Sequence, residues 1–303
     1  MRKDQISKVM KTILVPTDFS PNANNALQYA LNLANQLQSK VIILHNVESP
    51  IDYTGAGAGA FATSDPILST MPVYPATYNQ GDELQQISEE KLNDLVQQLR
   101  QNTSVSIETK SVYGSLTDNL NHIVSEQRID LVVMGTKGAT DFLERMIGTN
   151  TAFYMKVAVC PVLAVPAKAN FSKWEKIAYA FELERTGGTF LNQLSVLTAP
   201  FSPTINLITV KDNTEPDIVP DHQITEEIKT KFPDLNLTFT KLESNNPAKV
   251  LEEFALSQHM DILAVAIIDR GFLEGLIHSS IFQKLVFHSV VPILSLPEHP
   301  YNA

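Results

Sequence analysis

Two stretches of this chain occur twice, in the same order and at the same separation. Asp130-Leu131-Val132-Val133-Met134 reappears as Asp261-Ile262-Leu263-Ala264-Val265, and Cys160-Pro161-Val162-Leu163-Ala164-Val165-Pro166 reappears as Val291-Pro292-Ile293-Leu294-Ser295-Leu296-Pro297. Short, continuous apolar runs bounded by turn residues are the pattern of strands buried on both faces, as in a parallel sheet. An internal repeat of this length predicts two units of one architecture. The 303 residues suit two domains of ordinary size, which we place at residues 1–167 and 172–303 with a short linker between them.

The first unit alternates strand and helix. Ile13–Asp18 and Val41–Val47 read as strands. Between them Ser20-Pro21 marks a helix start, and Ala23, Ala26, Leu27, Ala30, Leu31, Ala34 and Leu37 recur at helical spacing. A helix from Leu84 to Leu99, an alternating strand from Val105 to Val112, a helix over 116–127, and strands at Asp130–Met134 and Pro161–Val165 complete the pattern. Five strands alternating with helices predict α/β architecture with a doubly wound parallel sheet, Rossmann-like and three-layered. Residues 49–82, with the run Gly55-Ala56-Gly57-Ala58-Gly59-Ala60, have too few large apolar side chains to build core and read as a long loop.

Chemistry is concentrated after the strand ending at Met134. Gly135-Thr136-Lys137-Gly138 is followed, after nine residues, by Gly148-Thr149-Asn150-Thr151. Glycines at the carboxyl end of a parallel strand let backbone N–H groups approach an anion, and a helix opening at Thr149 would point its unpaired N–H groups at the same place. The chemistry this suits is phosphate binding. Each residue also has a plainer reading: turn glycines, a helical Thr151 bonding its own backbone, an Asp18 that caps the first helix, and solvated Lys137 and Arg145.

The spacing G-x2-G-x9-G-[ST] resembles the nucleotide-binding pattern of the universal stress protein family, in its ATP-binding branch. Ile13–Ser20, Val41–Val47 and Cys160–Pro166 resemble that family's first, second and last strands, so the likeness covers residues 11–166 well and 173–297 weakly. It implies an adenine-nucleotide site (ATP, ADP or AMP, with Mg) lined by Pro16, Thr17, Asp18, Asn46, Met134, Gly135, Lys137, Gly138, Gly148, Thr149, Asn150 and Thr151. By the same resemblance, Asp18 would accept from a ribose hydroxyl or adenine amine, and Asn46 would meet the adenine through its backbone. The implied role is a nucleotide-dependent stress-response regulator with an unidentified protein partner. Slow ATP hydrolysis stays open as an alternative, although no residue reads as a general base near the phosphates.

In the second unit the matching positions change. Gly135 falls on Ala266, Gly138 on Asp269, Gly148-Thr149 on His278-Ser279, and Asp18 on Glu182. Added Cβ atoms and carboxylates oppose phosphate binding, so this copy is expected to keep the fold and lose the site. A polar-ligand or interaction module built on Asp269, His278 and Ser279 is the alternative.

Charge and composition narrow the partners. A net charge of −10 with no basic cluster argues against nucleic acid, and no apolar run reaches membrane-spanning length. A single cysteine, Cys160, fits a reducing, cytoplasmic setting and reads as a packed apolar residue. Seven histidines show no metal-site spacing. The G-x-x-x-x-G-K-[ST], G-x-G-x-x-G and G-x-S-x-G signatures are missing from the positions that would give them meaning. The last strands of the two units are apolar enough to be covered edges, so they are expected to pair within the chain as an intrachain pseudo-dimer, with a homodimer left open.

Overall fold

The structure, a computed structural model, describes residues 10–47, 80–136, 149–181, 188–211, 221–268, 282, 285–286 and 289–300. Its frame is one ten-stranded sheet with the order β3-β2-β1-β4-β5-β10-β9-β6-β7-β8. The first half holds β1 (Thr12–Thr17), β2 (Lys40–Val47), β3 (Ile107–Tyr113), β4 (Leu131–Thr136) and β5 (Val162–Pro166). The second holds β6 (Lys176–Ala180), β7 (Thr204–Lys211), β8 (Asn236–Glu243), β9 (Ile262–Ile267) and β10 (Ile293–Pro297). Each half is parallel throughout and has the same strand order, and the two meet where β10 runs antiparallel to β5, with Leu294 opposite Leu163. The expected pairing of the two last strands is thus present.

Helices cover both faces. In the first half these are α1 (Pro21–Leu37), α2 (Gln80–Leu99), α3 (Leu116–Gln127) and α4 (Thr149–Val157). In the second they are α5 (Thr189–Thr198), α6 (Asp221–Lys231) and α7 (Pro247–Ser257). Alternate strand residues sort the core by the two-residue period of a pleated sheet. Ile13, Val15, Val41, Ile43, Leu131 and Val133 face α1 and α2, and the same core continues through Tyr179, Phe190, Leu194 and Ile228 in the second half. Leu14, Ile42, Leu44, Val132 and Met134 face α3 and α4, and that core continues through Leu251, Leu263 and Val265.

The internal likeness extends to hydrogen bonds. Asp130 Oδ2 accepts from the N–H groups of Lys11 and Thr12 at 2.8 and 3.0 Å, and Asp261 Oδ2 accepts from Glu175 and Lys176 at 2.9 Å each. Asn25 Nδ2 donates to Pro166 O at 2.9 Å, as Gln193 Nε2 does to Pro297 O at 2.9 Å. The carboxylate that opens each fourth strand therefore fixes the start of the neighbouring first strand, which explains why Asp130 and Asp261 head the repeated runs.

Three boundaries move from their expected places. β3 starts at Ile107 instead of Val105, because Val105 N–H turns back to Thr103 Oγ1 at 3.2 Å. β4 runs to Thr136, so Gly135 lies within the strand, opposite Val165, and does not mark its end. The helix expected from Leu84 begins at Gln80. Of the expected long loop 49–82, residues 49–79 lie outside the described residues.

Candidate functional site

In the first half, β1 sits between β2 and β4, so the chain leaves β1 toward α1 on one side and returns to the sheet on the other. The crevice outside the carboxyl ends of β1 and β4 is the topological switch point, the usual ligand position in open α/β sheets. Pro16, Thr17 and Asp18 reach it from β1, Met134 and Gly135 from β4, and Thr149, Asn150 and Thr151 from the first turn of α4.

The β1–α1 turn is built by its own side chains. Phe19 N–H donates to Thr17 Oγ1 at 3.0 Å, Ser20 N–H to Asp18 Oδ1 at 2.9 Å, and Ala23 N–H to Ser20 Oγ at 3.2 Å. Ser20 is therefore the helix cap, with Pro21 at the first helical position, and Asp18 is not. Asp18 is exposed at the rim, with one carboxylate oxygen holding the turn. Phe19 takes a left-handed φ of 61°, a conformation costing a bulky residue about 1–3 kcal/mol. Its ring lies 4.6 Å from that of His45 at the end of β2.

Gly135 is a glycine for a reason the spacing alone does not reveal. A Cβ there would lie 2.5 Å from Asn22 O and 2.8 Å from Asn22 C, so β4 and the start of α1 are in backbone contact. Gly135 O accepts from Thr151 Oγ1 at 2.9 Å, which ties the first turn of α4 to the same strand end. Thr151 is buried, and its proton is committed to β4 and not to its own helix. Asn150 is exposed.

Other expected residues contribute differently. Both ends of the Asn46 amide are occupied: Nδ2 donates to Gly114 O and Oδ1 accepts from Asn119 Nδ2, each at 2.8 Å. Its side chain ties β2 to the turn before α3, leaving only backbone for a ligand. Met134 is buried in the core beneath α3 and α4, so it too offers only backbone. Lys137, Gly138 and Gly148 lie outside the described residues, as do the side chain of Thr149 and the second-half residues Glu182, Asp269, His278 and Ser279.

Four residues that no motif marks, His45, Ser88, Lys91 and Phe19, gather beside Asp18. His45 Nδ1 lies 2.7 Å from Ser88 Oγ, and Lys91 Nζ sits 5.8 Å over the Phe19 ring. Burial first, then the Lys91 charge, hold the His45 imidazole below its usual pKa, against an opposing pull from Asp18. The hint in the sequence is a polar residue directly after the apolar run Val41–Leu44.

Strand pairing also settles the register of the second half. Ile13 pairs with Leu131 as Ile177 pairs with Ile262, which sets Phe181 in the place of Thr17 and Glu182 in that of Asp18. Gly135 pairs with Val165 one position before Pro166, as Ala266 pairs with Leu296 one before Pro297, so Ala266 stands where Gly135 does. Phe181 is buried, stacked 5.9 Å from Tyr179 and edge-on to Phe239 at 6.2 Å. At this edge the second half holds aromatic packing where the first holds a hydroxyl.

Among the described residues no three His, Cys, Asp or Glu side chains gather as a metal site, and no helix is long and apolar enough to cross a membrane. On this edge Asp18 is the described carboxylate, so an accompanying Mg would depend mainly on oxygens brought by the ligand.

Comparison with known proteins agrees with this architecture. Universal stress protein MJ0531 of Methanocaldococcus jannaschii is 27% identical over 156 residues, which cover 51% of this chain and 81% of that protein. Universal stress protein YxiE of Bacillus subtilis is 25% identical over 156 residues, covering 50% of this chain and 97% of its own. The crystal structure of a universal stress protein from Archaeoglobus fulgidus matches the fold across 94% of this chain and 96% of that one, with a TM-score of 0.68 at 16% identity. The universal stress protein family model matches residues 10–166. That span is just over half of the chain, and the chain belongs to the universal stress protein family.

Proposed function

We propose that the first half binds one adenine nucleotide, ATP or its relatives ADP and AMP, across the carboxyl ends of β1 and β4, and that the protein acts as a nucleotide-dependent regulator of a protein partner in a stress response. The observation that carries this reading is the contrast between the halves at one edge. In the first half the switch point holds a small buried hydroxyl, Thr17, beside exposed Asp18 and the start of α4, whereas in the second the position of Thr17 is filled by the larger aromatic Phe181. The family match over residues 10–166 and the glycine spacing from Gly135 to Gly148 support the same assignment.

In this arrangement the phosphates lie toward β4 and the N-terminal turn of α4, whose unpaired N–H groups favour anions. Asp18, one strand over, accepts from the ribose. The base then falls toward β2. Mg would travel with the phosphates, and the glycine spacing makes Thr149 the hydroxyl expected to meet it.

Calorimetric titration of wild type and Asp18→Ala with ATP, ADP and AMP tests the site. Loss of a charge-assisted hydrogen bond of about 1.5–3 kcal/mol predicts a weakening on the order of 10- to 100-fold. Unchanged affinity in Asp18→Ala would remove Asp18 from the site, and no heat with any nucleotide in wild type would remove the function.

A further inference from the structure

Through the apolar interface between α2 and the sheet runs one chain of polar groups. Ser88, in the middle of α2, is 2% exposed. Ser111 Oγ of β3 lies 2.7 Å from Ser88 Oγ, and Ser88 Oγ lies 2.7 Å from His45 Nδ1 of β2. A hydroxyl has a single proton. With the Ser111 proton on its oxygen, Ser88 gives its own to His45 Nδ1, which leaves the proton of the neutral imidazole on Nε2. No described residue bonds Nε2. The ring is also fixed on its face, 4.6 Å from Phe19 at an interplanar angle of 41°.

The place of this ring is defined by the sheet. His45 pairs with Thr17, so it stands one strand beyond β1 on the side away from β4. The charged groups acting on it are Lys91 from α2 and Asp18 from the β1–α1 turn, while Ser88, Ser111 and Phe19 complete its neutral surroundings. The second half lacks the device. By the same pairing Thr209 takes the place of His45 and Lys241 that of Ser111, and Thr209 Oγ1 is buried without a hydrogen-bond partner among the described residues.

We propose that the Ser111–Ser88 chain presents His45 as a fixed, neutral Nε2–H donor at the base end of the nucleotide site, where it contacts a ring-nitrogen acceptor of the purine. The inference rests on the nucleotide reading above and adds to it a residue that selects the base. A donor held in one tautomer accepts no alternative, so a purine with a carbon in place of the matching nitrogen loses the contact.

The test joins long-range 1H–15N histidine spectra of the full chain at neutral pH with titrations by ATP and by analogues carrying carbon in place of N1, N3 or N7. The free protein is expected to show His45 as the Nε2–H tautomer, and Ser88→Ala to mix the tautomers. His45→Ala is expected to weaken ATP about 3- to 10-fold. One analogue should lose the same factor in wild type and nothing further in His45→Ala. An Nδ1–H tautomer in the free protein overturns the positioning chain. Equal losses for every analogue in both proteins overturn the base contact while leaving nucleotide binding intact. A wild type that binds no ATP overturns the base contact together with the nucleotide reading, and the free-protein spectra then still decide the chain.

Discussion

Gly135 illustrates how a residue chosen for packing can pass for one chosen only for a ligand. Because its missing Cβ clears backbone atoms of Asn22, Gly135→Ala must displace the start of α1. We expect a loss of about 1–3 kcal/mol in denaturant melts, the usual cost of overpacking a tight site, with or without nucleotide. Undiminished stability would mean that α1 and β4 are not in contact there. The glycine was legible in the sequence through its spacing to Gly148, but its neighbour Asn22 lies far off in the chain. His45 was hidden in the same way, since Ser88 and Ser111 reach it from two other elements.

His45 also gives a pH prediction. Its folded pKa is lowered, chiefly by burial and then by Lys91, while in the unfolded chain it titrates near 6.5. Above that value both states are neutral and His45 contributes no penalty. As pH falls through the unfolded value, the unfolded chain takes up the proton first, so stability drops until the folded pKa is also passed. Thermal melts of wild type should therefore fall below pH about 6.5 more steeply than those of His45→Gln. Parallel curves would contradict the burial of this imidazole.

At the scale of elements, what could be read from the sequence was whatever local periodicity encodes. The apolar runs of β1, β2, β4 and β5 and the Ser20-Pro21 start of α1 depend on residues close in sequence, and the structure keeps them. Ends that depend on a distant partner were misplaced. β4 gains Gly135 and Thr136 because β5 offers Val165 and Pro166 to pair with, and β3 loses Val105 to a turn at Thr103. The pairing of β6 with β9 fixes the register that sets Glu182 in the place of Asp18. The site follows the same division: Asp18 and the glycine spacing were visible, whereas the occupied amide of Asn46 and the ring packing around Phe181 needed three-dimensional neighbours.

For the molecule as a whole, the join at β5 and β10 is part of the core. All five residues of each strand are buried, both apolar clusters run through both halves, and Trp174 Nε1 donates to Tyr29 Oη at 3.0 Å across the join. A fragment ending at residue 167 would expose β5 as an apolar edge with an unpaired ladder. We expect it to self-associate, and light scattering after gel filtration should report a dimer or larger species. A stable monomer would show that the join is dispensable.

We propose a single nucleotide site in the first half of a chain whose second half holds Phe181 at the equivalent edge. Its most direct test is native mass spectrometry of the full-length protein titrated with ATP in Mg, followed by calorimetry for stoichiometry. We predict saturation at one nucleotide per chain. Saturation at two would show that Phe181 does not close the second edge, and no binding at any concentration would contradict the functional assignment of the first.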